Sequence, residues 1–211
     1  MTKTQAIEIA GTLSEPSKMP AYSYGLPAQE CITGSKLVSV PGSVCHDCYA
    51  LKGNYKRWAR TIMPAQYKRL DSITDPNWVE AMVTLIGKNP KTPYFRWHDS
   101  GDIQSVDHLK KIANVAWQLP DVHFWLPTRE YAIVREFMAK NLVPDNLTIR
   151  LSAHMVDGPV PSINDLPTSS VFTDNVPSGA WECPSRYQDN ACGDCRACWD
   201  PKVQQVSYHK H

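Results

Sequence analysis

Apolar and polar positions along this chain switch between two periods, short β-prone runs and helical stripes, and the order of switching carries the fold. Residues 93–97, 122–126 and 147–151 are aromatic or branched runs that predict strands, with a weaker run at 169–172. Between the first two, Val106, Leu109, Ile112, Ala113, Ala116 and Trp117 form a helical stripe behind Ser105, a natural N-cap. A second helix is expected over residues 131–140. Upstream, Asp75-Pro76 opens a helix whose buried face is Trp78, Met82, Leu85 and Ile86. Tyr55, Trp58, Ala59 and Ile62 repeat at helical spacing, with Pro64 as a kink or a new turn. Residues 37–40 read as a short strand that stops at Pro41-Gly42. Residues 1–30, broken by Pro16, Pro20, Gly25 and Pro27, predict an irregular N-terminal arm.

Strand–helix–strand alternation predicts an α/β fold with parallel strands. Two architectures fit: a partial (β/α) barrel, or an open parallel sheet with cysteine-rich loops at its carboxyl-end face. Residues 31–200 are expected to form a single metal-binding domain, and 201–211 a tail. The polar motifs fall where such folds build sites. His98, Asp99, Ser100, Gly101 and Asp102 follow one strand, and Thr128, Arg129 and Glu130 follow the next. Arg150, Ser152 and His154 end the third. A histidine and two acids around one glycine exceed what a helix cap needs. His98, Asp99, Asp102 and Arg129 are therefore candidates for proton transfer or substrate binding, and Ser100 and Gly101 for cofactor binding.

Composition narrows the function classes. Lys plus Arg (22) nearly balances Asp plus Glu (21) in 211 residues, so no global field favours nucleic acid or an anionic membrane. The cluster of Lys52, Lys56, Arg57, Arg60, Lys68 and Arg69 reads as a solvated helix face, with phosphate binding as the alternative. With no apolar run of membrane-spanning length and no signal pattern, a cytoplasmic protein is expected. In a reducing compartment, seven cysteines are metal ligands before they are disulfides.

The cysteines fall into two groups. Cys192-x2-Cys195-x2-Cys198, with the remote Cys183-Pro184, is the ligand pattern of a cubane iron–sulfur cluster. Cys31, Cys45 and Cys48 are one short of a closed set, and three thiolates on a cubane leave one iron open to an exogenous ligand. The economical partition is three plus four, an open cluster and a closed one. A single iron–sulfur cluster, or a zinc ion drawing on both groups, competes with it.

Pro41-Gly42 through Cys48-Tyr49-Ala50, His98-x-Ser100-Gly101-Asp102, Trp125-x-x-Thr128-Arg129 and the cysteines from Cys183 to Trp199 together carry a family resemblance. Over about residues 28–200 the chain resembles the phage gene product eighty-eight proteins. The resemblance implies a virus-encoded protein with cysteine-bound metal, acting in host cytoplasm. More distantly, a three-cysteine loop after a first strand is similar to radical S-adenosylmethionine enzymes, although their C-x3-C-x2-C spacing is absent and Cys31 precedes the strand at 37–40. That resemblance implies S-adenosylmethionine as a cofactor. The expected function is redox or radical chemistry on a small molecule or nucleotide, fed by an electron-donor protein. The alternative is a zinc-stabilised module that binds a host protein or nucleic acid.

Overall fold

The structure is a computed structural model and describes residues 1–89 and 92–210. Among these residues, seven parallel strands form one open sheet: β1 (Tyr22–Tyr24), β2 (Tyr94–Trp97), β3 (His123–Thr128), β4 (Leu147–Val156), β5 (Thr168–Phe172), β6 (Trp181–Glu182) and β7 (Gln205–His209). Their spatial order is β1-β2-β3-β4-β5-β7-β6. Of the two expected architectures, the sheet is the open one; it does not close into a barrel.

Among the described residues, seven α-helices accompany it: α1 (Lys3–Ala10), α2 (Ile32–Leu37), α3 (Gly53–Arg57), α4 (Ala59–Ser72), α5 (Trp78–Gly87), α6 (Val106–Gln118) and α7 (Tyr131–Met138). Helix α6 starts at Ser105 as expected, its hydroxyl accepting from His108 N at 3.0 Å. Strand alternation sends Tyr24, Phe95, Trp97, Phe124, Leu126, Leu147, Ile149 and Leu151 to one face. There they meet Ala6 and Ala10 of α1, Trp78 and Met82 of α5, Leu109 and Ile112 of α6, and Val134 and Phe137 of α7. The main core is thus a helix layer on one face of the sheet.

The opposite face is polar. Ser23, Arg96, Trp125 and Thr148 lie in register across β1 to β4. Arg150 and Ser152 continue that face along β4. Instead of helices, a segment from the C-terminal part of the chain covers it, where Trp199 packs with Trp125, Met19 and Ala21.

Four expectations are corrected. The irregular arm holds α1 and β1: Thr2 and Gln5 close a capping box around the first turn of α1, a signal at T-x-x-Q. Residues 37–40 are the end of α2 and a turn; Val40 is exposed and pairs with no strand. The tail contains β7, seated between β5 and β6 and hydrogen-bonded to both. Arg69, expected on a solvated face, is buried, and its guanidinium donates to Thr12 O, Ser14 Oγ and Gly25 O. Pro64 sits inside α4 without ending it.

Candidate functional site

The long connection from β1 to β2 carries Cys31, Cys45 and Cys48. All three follow the first strand, because that strand is β1 and not residues 37–40. Cys31 is the N-cap of α2. A Cβ on Gly34 would lie 3.6 Å from the sulfurs of both Cys31 and Cys45, so these two thiols border the same small space. The first turn of α2 is held from far along the chain: Glu130 accepts from Thr33 N at 2.8 Å and from Thr33 Oγ1 at 2.7 Å. The Cys45 loop is stitched to β4 by Val44 N donating to His154 O and Val156 N to Gly42 O, both at 2.9 Å. The trio is therefore fixed by the carboxyl-terminal ends of β3 and β4.

Its electrostatics are anionic. Burial pushes the Cys31 thiol up, and Asp102, Cys48, Cys45 and Glu130 push the same way. Burial also raises Cys45, opposed first by Arg129. Asp102 accepts from Ile103 N at 2.8 Å, Thr128 Oγ1 at 2.6 Å and Arg129 N at 2.9 Å. Burial still lifts its carboxyl to about 6 against those hydrogen bonds. Arg129 is the cation of the group, its Nε donating to Ala153 O at 3.2 Å. Three thiols, two carboxylates and one guanidinium share this neighbourhood.

The His-x-Ser-Gly-Asp motif builds the wall behind it. Ser100 donates to Leu26 O at 2.9 Å, and Leu26 N returns a bond to Ser100 O at 2.7 Å. Gly101 has φ +79°, and a Cβ there would sit 2.6 Å from Leu26 Cβ and 2.8 Å from Leu26 O. Only glycine fits that approach. Ser100 and Gly101 thus lock the segment leading into Cys31. His98 is buried with its ring 5.4 Å from that of His108, on the helix side of the sheet. Burial lowers its pKa to about 4 and keeps it neutral. Asp99 accepts from Tyr55 Oη at 2.8 Å and stands against Gly25, where a Cβ would come within 2.7 Å of Asp99 Oδ1.

The second cysteine group lies on the polar face of the sheet. Cys183 directly follows β6, its N–H donating to Ser207 O at 2.8 Å. The Cys198 sulfur is 3.1 Å from Tyr208 Oη on β7. Trp199 anchors the run, with Nε1 donating to Phe95 O at 2.9 Å and its carbonyl accepting from Thr148 Oγ1 at 2.8 Å. Arg150 is fully buried and donates from Nη1 to Thr168 O and Val203 O, both 2.9 Å. Its Nη2 donates to Ala197 O and Asp200 O, both 3.0 Å. The guanidinium is therefore the nail on which the cysteine run hangs. Burial pushes the Cys198 thiol up to about 12; Tyr208 lowers it and Cys183 raises it. Cys192 is raised by burial, then by Cys183, while Arg96 opposes.

All seven cysteines are free. Among the described residues, no group of three or more His, Cys, Asp or Glu side chains is arranged to hold a metal ion. The donor chemistry nevertheless suits one: crowded, half-buried thiols that raise one another's pKa are the groups a cationic centre deprotonates and binds. Sequence reasoning placed Glu130 among the strand-end polar residues but gave neither it nor Arg96 a role; both act through partners far away in the chain. Among the described residues, no helix is long and apolar enough to cross a membrane. A family model described as Gene product 88 matches residues 1–201, while no curated protein and no solved structure matches the chain.

Proposed function

The chain belongs to the Gene product 88 family, and we propose that it is a phage-encoded iron–sulfur protein carrying out redox or radical chemistry on a small molecule or nucleotide. The observation that supports this reading best is the sorting of seven free cysteines into three and four. The three lie in the connection after β1, and the four lie on the polar face of the same sheet. Cys31, Cys45 and Cys48 would hold an open cubane cluster, and Cys183, Cys192, Cys195 and Cys198 a closed one.

Bound clusters would supply one-electron transfer, and an open iron would offer a coordination position to substrate or to S-adenosylmethionine. The chain's own residues do the rest. Glu130 orients the turn that presents Cys31. Arg129 places a positive charge beside Cys45 and favours its thiolate. Asp102, with its carboxyl near neutrality, can hold or release a proton next to the trio. Arg150 fixes the carbonyl skeleton of the quartet and lends it positive charge. An electron-donor protein would feed the pair of sites.

Anaerobic purification tests the reading. The expected result is a coloured protein with about eight irons and matching sulfide per chain. Cys45→Ser and Cys195→Ser should each retain about four irons if the partition is three plus four. A colourless protein with stoichiometric zinc overturns the reading in favour of a zinc-stabilised binding module. Loss of all iron in both variants replaces two sites by one shared site. Reductive cleavage of S-adenosylmethionine by the reduced protein then tests the radical branch, which absence of turnover removes.

A further inference from the structure

Between the two cysteine groups, the polar face of the sheet carries side chains whose polar atoms lack partners. Ser23, Arg96 and Trp125 are in register on β1, β2 and β3. Ser23 Oγ, Arg96 Nε and Trp125 Nε1 are all buried without a hydrogen-bond partner. The Arg96 guanidinium lies over the Trp125 ring, 4.4 Å from its centroid, and its Nη2 is 3.5 Å from Tyr49 Oη. Among the described residues, no carboxylate forms an ion pair with Arg96. Close by, Asp99 Oδ1 is also buried and unpartnered, while Oδ2 is taken by Tyr55.

Buried polar groups are almost always satisfied, so a cluster of unmade bonds needs an explanation. Arg96 Nε and Trp125 Nε1 can only donate, and the Ser23 hydroxyl can join them. A water has two acceptor positions, whereas a carboxylate or phosphate accepts from three donors and matches the charge of the guanidinium. Position adds to chemistry. Tyr49, whose hydroxyl stands 3.5 Å from Arg96 Nη2, is adjacent in sequence to Cys48, and Cys192 packs against the cluster of Trp125 and Trp199, so the guanidinium stands between the two cysteine groups.

We propose that Ser23, Arg96 and Trp125 bind the carboxylate or phosphate of a small molecule, with Asp99 accepting from a hydroxyl or amine of the same molecule. The inference rests on the proposed function only for naming that molecule as the substrate. Binding itself requires no turnover.

Calorimetric titration of the anaerobically purified full chain with inorganic phosphate, acetate and adenosine 5′-monophosphate tests it, with iron counted on the same sample. Saturable binding of at least one probe at one per chain is expected, and the preferred probe tells phosphate from carboxylate. Arg96→Gln should weaken that binding by about tenfold or more. Trp125→Phe, which keeps a ring beneath the guanidinium but removes the donor, should weaken it by about threefold to tenfold. Because Trp125→Phe keeps an aromatic ring in place and the charge of Arg96, it decides the matter if Arg96→Gln does not fold. No binding of any probe to the wild-type chain, or equal binding by wild type and a folded variant, overturns the proposal. Anion binding by an iron-free chain would leave this site standing and sink the cluster reading; iron without anion binding does the reverse.

Discussion

Replacing Arg150 with Met should detach the C-terminal cysteine run from the sheet. The side chain is fully buried and gives four hydrogen bonds of 2.9–3.0 Å to the carbonyls of Thr168, Val203, Ala197 and Asp200. A buried cation is costly to desolvate, so an apolar replacement can be neutral where both partners of an ion pair are removed together. Here the partners are backbone carbonyls and stay behind. Each charge-assisted bond contributes about 1.5–3 kcal/mol, and each carbonyl left dry costs about 1–3 kcal/mol. These figures do not add, because the loop can lift off and let water reach its carbonyls. We therefore expect a net loss of about 3–5 kcal/mol, a large share of the roughly 5–15 kcal/mol that typically stabilises a domain. Urea unfolding followed by circular dichroism reads this as a lower midpoint at similar slope. Maleimide labelling adds a local readout: Cys198 should become reactive before Cys31 does. Arg150→Lys keeps the charge but not the planar fork, and should recover only part of the loss. A shift below about 1 kcal/mol for Arg150→Met, with Cys198 still protected, would refute the reasoning.

Gly101→Ala puts a Cβ 2.6 Å from Leu26 Cβ at φ +79° and should cost about 3 kcal/mol, read as a lower thermal midpoint. Glu130→Ala frees Thr33 N and Oγ1, and should cost about 1–2 kcal/mol while speeding the labelling of Cys31 over wild type. The pH dependence has two opposing parts. His98 is held at about 4 and His108 well below its usual value, so their contribution is complete above about 6.5 and is lost as pH falls toward 4. Asp102 is raised to about 6, so its contribution is complete below about 3.9 and is lost as pH rises through 6. Wild-type stability should therefore fall only gradually from pH 7 to 4.5. Asp102→Asn removes the opposing gain and should make the fall steeper, as urea midpoints across that range will show; an unchanged slope would count against the buried carboxyl.

The legible part of the fold was the part determined locally. Strands β2 to β5 announced themselves by runs of aromatic and branched residues, and α6 by Ser105 and its stripe. Strand β1 has only three residues, and its state is decided by pairing with β2 at Tyr22–Phe95 and Tyr24–Trp97, which no local window contains. The run at 37–40 looked like a strand, yet it ends a short helix whose first turn is held by Glu130, 97 residues from Thr33. The cysteine groups could be read from spacing alone. Their surroundings could not: Arg150 appeared as a strand-end cation, and only the tertiary fold turns it toward four carbonyls. His98 shows the same limit: its place beside two acids is written in the sequence, but its burial and its packing on His108 are not.

The sheet's outermost strands bear on what happens when the second cysteine group is lost. An open sheet has two edges, and both are blunt: β1 has three residues, and β6 has two. Beneath β6 lies β7, a five-residue strand paired with β5 on its other side. β6 leads straight into Cys183, so whatever tethers that cysteine also keeps a cover over the free backbone groups of β7. A chain that loses the tether would bare a longer, stickier edge, and edges of that kind recruit further chains. Damage at the quartet should therefore show itself first as self-association of intact protein, in light scattering, with secondary structure still native.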